Sequence, residues 1–142
     1  MPRDRLVIYL DENHCNNRHI LAVFETASVQ VERHLKHFAA GTPDEEWLPF
    51  VGTNGWALLT TDKRIRFREN EKLAVIRNRI RMFYFSKNEM SGRQMASSLE
   101  KALPAIFRLC DKQPPPFFAA ITRGGEVHLR EKLAVPYDVP DR

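Results

Sequence analysis

Cysteine is scarce: Cys15 and Cys110 are the only two in 142 residues. They stand far apart in the sequence, so no disulfide framework is expected and both should be free thiols, as in a reducing compartment. Long apolar runs are also missing. The stretch Leu6-Val7-Ile8-Tyr9-Leu10 is too short for the core of a signal peptide or for a membrane span, so a cytoplasmic protein without a membrane partner is expected. The sequence has no repeat, low-complexity block or interior linker that would mark a second domain. A second pair of zinc ligands is lacking beside His14, Cys15 and His19, and His14 and His19 are badly spaced for one helix face, so a structural zinc is not expected. His34 and His37 fall in a predicted loop with no acidic partner nearby and are expected to be exposed.

What remains is ordinary globular material, with 43% hydrophobic and 28% charged residues, which argues against disorder. The length suits a single core, read as one domain over residues 1–132 with a loose tail over 133–142. The net charge of +4 makes a polyanionic partner plausible, since lysines and arginines near phosphates gain from counterion release. The cations are concentrated in one stretch containing Lys63, Arg64, Arg66, Arg68, Lys72, Arg77, Arg79 and Arg81.

The pattern along the chain alternates strands and helices. Leu6–Leu10 is a continuous apolar run ending in Asp11-Glu12-Asn13, the form of a buried parallel strand entering a helix. An amphipathic helix is predicted from about His14 to Thr26, then a strand through Val29 and Val31. Thr42-Pro43-Asp44-Glu45 reads as a helix start, with Thr42 capping, Pro43 in the first helical position and Glu45 completing a capping box. Trp56–Thr60 is a third strand closed by Thr61-Asp62, and Arg81–Phe85 a fourth. A long helix over about Gly92–Asp111, kinked at Pro104, precedes a strand pair, Phe117–Ile121 and Glu126–Leu129, turning at Gly124-Gly125. Such alternation implies an α/β fold with helices on both faces of a mostly parallel sheet.

Asp11 and Asp62 directly follow the first and third strands, which puts both at the carboxyl edge where ligands collect in open sheets. Asp44 opens the helix that feeds the third strand. Carboxylates converging in one cleft repel unless a cation neutralises them, and hard oxygen donors suit Mg2+ or Mn2+. Such an ion can polarise a phosphodiester and acidify a water. Lys63, Arg64 and Arg66 are then candidate phosphate contacts, Thr60 and Thr61 candidate holders of a ligand water, and Asn13 a further polar group at the same edge.

Leu10-Asp11-Glu12-Asn13, Gly41-Thr42-Pro43-Asp44-Glu45-Glu46-Trp47-Leu48 and Gly55-Trp56-Ala57-Leu58-Leu59-Thr60-Thr61-Asp62-Lys63-Arg64-Ile65-Arg66 occur in this order. Together they resemble the PIN-like family, in particular its short VapC-type toxin relatives, over residues 6 to about 86. The resemblance implies a three-layer α/β/α fold and Mg2+- or Mn2+-dependent endoribonuclease activity. It also implies, in many members, a cognate antitoxin that blocks the site. It assigns Asp11, Asp44 and Asp62 as catalytic metal ligands. Larger members carry a further glutamate on a helix between the first two acids; this chain has no clear equivalent, leaving Glu12 or Glu45 to substitute.

Each of these residues also has a simpler reading. Asp11 can cap the first helix, although Asn13 is equally able to, and the three acids from Asp44 to Glu46 suit a helix dipole. Asp62 can be a turn residue, and the cations a solvated face. Trp47 and Trp56 read as core; the Leu99, Leu103, Ile106 stripe and Phe117-Phe118 read as core or as a homodimer face. Two rival functions stand beside the nuclease: a PIN-like module that binds RNA or protein without cutting, and, ranked last, a receiver-like phosphoacceptor domain, which the basic run after Asp62 fits poorly.

Overall fold

The computed structural model describes residues 6–60, 69–87 and 90–132. Strand β1 (Val7–Leu10) is followed by helix α1 (Arg18–Thr26), β2 (Gln30–Arg33), a 3-10 turn (His34–Lys36), α2 (Asp44–Thr53) and β3 (Ala57–Thr60). Then come α3 (Glu69–Arg77), β4 (Arg81–Phe85), α4 (Gly92–Lys112), β5 (Phe117–Ile121) and β6 (Val127–Lys132). The strands form one sheet in the order β2-β1-β3-β4-β5-β6. Every pair is parallel except the terminal β5–β6 hairpin.

The two faces divide by residue parity. Ile8, Leu10, Ala57, Leu59, Phe83, Phe85 and Ala119 point to one side, where α1 packs through Ile20 and Phe24 and α4 through Met95, Leu99, Leu103 and Ile106. Tyr9, Leu58, Met82, Tyr84, Phe118 and Ala120 point to the other, where α2 contributes Trp47, Leu48 and Val51 and α3 contributes Val75. The expected three-layer α/β/α architecture is present. Each buried leucine or phenylalanine contributes about 1.5–3 kcal/mol, so the apolar strand runs carry most of the stability. Among the described residues no helix is long and apolar enough to cross a membrane.

Several local expectations are corrected. Helix α1 starts at Arg18, not His14, because Asn17 rather than Asn13 caps it: its Oδ1 accepts from the His19 and Ile20 amides at 3.0 and 3.2 Å. The residues between are turns, with the Asp11 carbonyl accepting from the His14 and Cys15 amides. At α2 no capping box forms. Pro43 is itself the N-cap, Asp44 is the first helical residue, and the Thr42 hydroxyl turns away to donate to the Ala39 carbonyl at 2.7 Å. Helix α4 runs over Gly92–Lys112 with Pro104 inside it, close to the expected bounds, and starts with a capping box between Ser91 and Gln94. Leu99, Leu103, Ile106, Phe117 and Phe118 are buried within the chain, as core.

Candidate functional site

Strand β1 leads to its neighbour on one side, through α1 to β2, while β3 leads to its neighbour on the other, through α3 to β4. The connections leaving these two adjacent strands therefore diverge and open a crevice at their carboxyl ends. Asp11 follows the last residue of β1, and Thr60 is the last residue of β3. Both fall on the α2/α3 side, and the Thr60 hydroxyl donates to Asp11 Oδ2 at 2.5 Å. Asp11 is only 5% exposed. A carboxylate so withdrawn from water persists in its charged form only where donors or a cation compensate the lost hydration.

Helix α2 brings Asp44 to the same place. A pocket of about 180 Å3 is lined by Asp11, Glu12, Asn13, Thr42, Asp44, Trp47 and Thr60. Asp44 Oδ1 accepts from the indole Nε1 of Trp47, one helical turn on, at 3.1 Å. Trp47 is buried, so the apolar body of the indole anchors α2 while its N–H fixes the acid. Glu45 points elsewhere, into a crevice of about 520 Å3 between α2 and α3, which also contains Pro49, Glu71, Leu73 and Arg77. Among the described acids, Asp11, Glu12 and Asp44 thus share the pocket, and Glu45 does not. Thr61, Asp62, Lys63, Arg64 and Arg66 lie outside the described residues.

Of the two histidines in the 34–37 segment, His37 is exposed as expected, whereas His34 overturns the expectation. His34 is 1% exposed, and its Nδ1 lies 2.7 Å from the Tyr9 hydroxyl. Its Nε2 faces Glu12 Oε1 at 3.9 Å. His37 pairs with Glu32 at 2.8 Å. Burial lowers the pKa of His34 from the ordinary imidazole value, with His37 adding to the shift and Glu12 opposing it. Burial also holds the Tyr9 phenol well above its usual range, reinforced by Cys15 and Asp11. Neutral Tyr9 stacks with Trp47, at 5.7 Å, and with Trp56, at 6.1 Å. The period-two alternation through Glu32 extends to His34, and continuing it past the end of β2 would have put His34 on the side of Tyr9.

Arg33 completes the frame. Its Nε donates to the Cys15 carbonyl at 2.7 Å and its guanidinium also bonds Asn16, tying the end of β2 to the turns after Asp11. The pocket offers hard oxygen donors, the three carboxylates of Asp11, Glu12 and Asp44, of which only Asp11 is buried, together with hydroxyls; this donor chemistry fits a hard divalent cation. Among the described residues no group of three or more His, Cys, Asp or Glu is arranged to hold a metal ion.

A family model described as a PIN like domain matches residues 6–87, more than half of the chain and the stretch that contains Asp11, Asp44 and the diverging strands. No curated protein and no solved structure matches the chain.

Proposed function

Because the chain belongs to the PIN-like domain family, whose members are commonly nucleases, we propose that it is a metal-dependent endoribonuclease. We read it further as the toxin component of a type II toxin-antitoxin pair. The observation that carries the reading is the buried Asp11 carboxylate, oriented by Thr60 and sharing one small pocket with Asp44 where the strand connections diverge. Asp62, two residues beyond Thr60 in sequence, is proposed as the third acid.

In this reading Asp11, Asp44 and Asp62 hold Mg2+ or Mn2+. The bound cation would supply charge stabilisation at the scissile phosphate and a more acidic attacking water. The chain's own residues do the rest. Thr60 keeps one Asp11 oxygen occupied, so that the carboxylate has a fixed orientation. The Trp47 indole does the same for Asp44. Lys63, Arg64 and Arg66 neutralise RNA phosphates beside the acids, and Asn13 and Thr61 supply further polar contacts.

The test is cleavage of a structured RNA with Mn2+ by wild type, Asp11→Asn and Asp62→Asn. Metal-dependent products from wild type and none from either variant are expected; equal cleavage by all three would refute the assignment. A second reading, a module that binds RNA or protein without cutting, draws on the lack in this sequence of a clear equivalent of the further glutamate that larger members carry. Tight RNA binding that needs no metal and yields no product would select it. The toxin assignment predicts that a small DNA-binding protein encoded beside this chain suppresses the cleavage.

A further inference from the structure

Glu12 lines the pocket with Asp11 and Asp44 and so competes for the role of an additional metal ligand. Its carboxylate is already engaged. Oε1 accepts the Gly41 amide at 2.8 Å, across 29 residues of sequence, and the same oxygen faces His34 Nε2 at 3.9 Å. The tautomer of His34 follows from its other nitrogen. A phenol that keeps its proton donates to Nδ1, which leaves the proton of a neutral imidazole on Nε2, pointing toward Glu12. Tyr9 is thus bonded to His34 at the buried middle of the sheet, and Glu12, 3.9 Å beyond His34 Nε2, is bonded to Gly41 in the loop ahead of α2.

Gly41 has φ +82°, a left-handed conformation that glycine adopts without a side-chain clash. Two residues later Pro43 ends the loop, and Asp44 opens the helix. Between Gly41 and Asp44 the chain is restrained, because the Thr42 amide and hydroxyl both donate to the Ala39 carbonyl and Pro43 fixes its own φ.

We propose that Glu12 is a positioning residue, a clamp on the 39–43 loop that delivers Asp44 to the pocket, and not a ligand to the ion. The inference rests on the nuclease reading for the purpose of the clamp, whereas the clamp itself is a property of the free protein. It separates two roles that the sequence assigns to neighbouring acids: Asp11 faces the ion, and Glu12 faces the loop.

The experiment compares wild type, Glu12→Gln and Glu12→Ala by amide hydrogen exchange at Gly41 and by calorimetric Mn2+ titration. Glutamine keeps an oxygen for the Gly41 amide and loses the charge a ligand needs. The clamp therefore predicts that Glu12→Gln keeps Gly41 protection and Mn2+ affinity close to wild type. Glu12→Ala should lose the protection and weaken Mn2+ by about tenfold or more, the usual cost of removing an outer-sphere partner. A Glu12→Gln variant that keeps Gly41 protected but binds Mn2+ as weakly as Glu12→Ala would overturn the proposal, making Glu12 a ligand. Unchanged exchange at Gly41 in Glu12→Ala would overturn it as well. The Glu12 side chain is 40% exposed, so both variants should fold. If wild type binds no Mn2+, the nuclease reading fails, while the exchange comparison still decides whether Glu12 clamps the loop.

Discussion

The two faces of the sheet are packed by different chemistry. The side covered by α1 and α4 is a continuous apolar layer of Ile8, Leu10, Leu59, Phe83 and Phe85 against Ile20, Phe24, Leu99 and Ile106. The side covered by α2 and α3 mixes its core with polar groups: Tyr9 bonded to His34, Thr60 bonded to Asp11, and Trp47 bonded to Asp44. One face supplies stability through area removed from water. The other accepts the cost of burying polar atoms, several of them bonded to a specific partner, and in return holds acids in fixed directions at the strand ends.

That contrast breaks most sharply in the apolar layer. Leu99 is fully buried on α4, and Leu99→Ala should destabilise the protein by about 2–5 kcal/mol in urea denaturation, from lost transfer energy and a residual cavity. Mn2+ affinity of the folded fraction should stay unchanged. On the other face the expected pattern reverses. Thr60→Val keeps the shape and removes the donor to Asp11, which should cost about 1–3 kcal/mol and also weaken Mn2+ binding in calorimetry. Thr60→Ser, which restores the hydroxyl, should recover most of both.

Asn17→Ala, away from both cores, removes the cap of α1 and should cost about 1 kcal/mol in the same denaturation measurement. The shallowest effect is on pH. Burial lowers the pKa of both His14 and His34 in the folded chain, so protonation favours the unfolded state. Their contribution is complete above the ordinary imidazole value of 6.5 and is lost as pH falls from there through the folded values. Denaturation midpoints should therefore decline below pH 6.5, and His34→Gln should flatten that decline.

How much of this was legible in the sequence follows the same division. Strands β1, β3, β4 and β5 were readable because each is a short run of mostly apolar residues buried on both sides, and Leu6–Leu10 and Arg81–Phe85 need no partner to be recognised. Asp11 and Thr60 were readable as strand-end residues, and parity then put them together. The helix starts were not. Thr42 and Asn13 satisfy the local rule for a cap, but the first helix begins only after Asn17, whose side chain takes the His19 and Ile20 amides, and α2 begins after Pro43 with no side-chain cap. His34 was misjudged because its partner Tyr9 is 25 residues away, and a contact at that distance leaves no mark on local composition. Glu12 holding Gly41 is the same kind of contact. The basic stretch from Lys63 to Arg66, proposed as the RNA contact, lies outside the described residues.

The central claim is that Asp11 and Asp44 face one cation. Anomalous scattering from a crystal of the protein loaded with Mn2+ tests it most directly. A peak is expected in the pocket between the two carboxylates, within about 2.2 Å of an oxygen from each. A peak on Glu45 or Glu71 in the α2–α3 crevice, or no peak near Asp11 at saturating Mn2+, would contradict it.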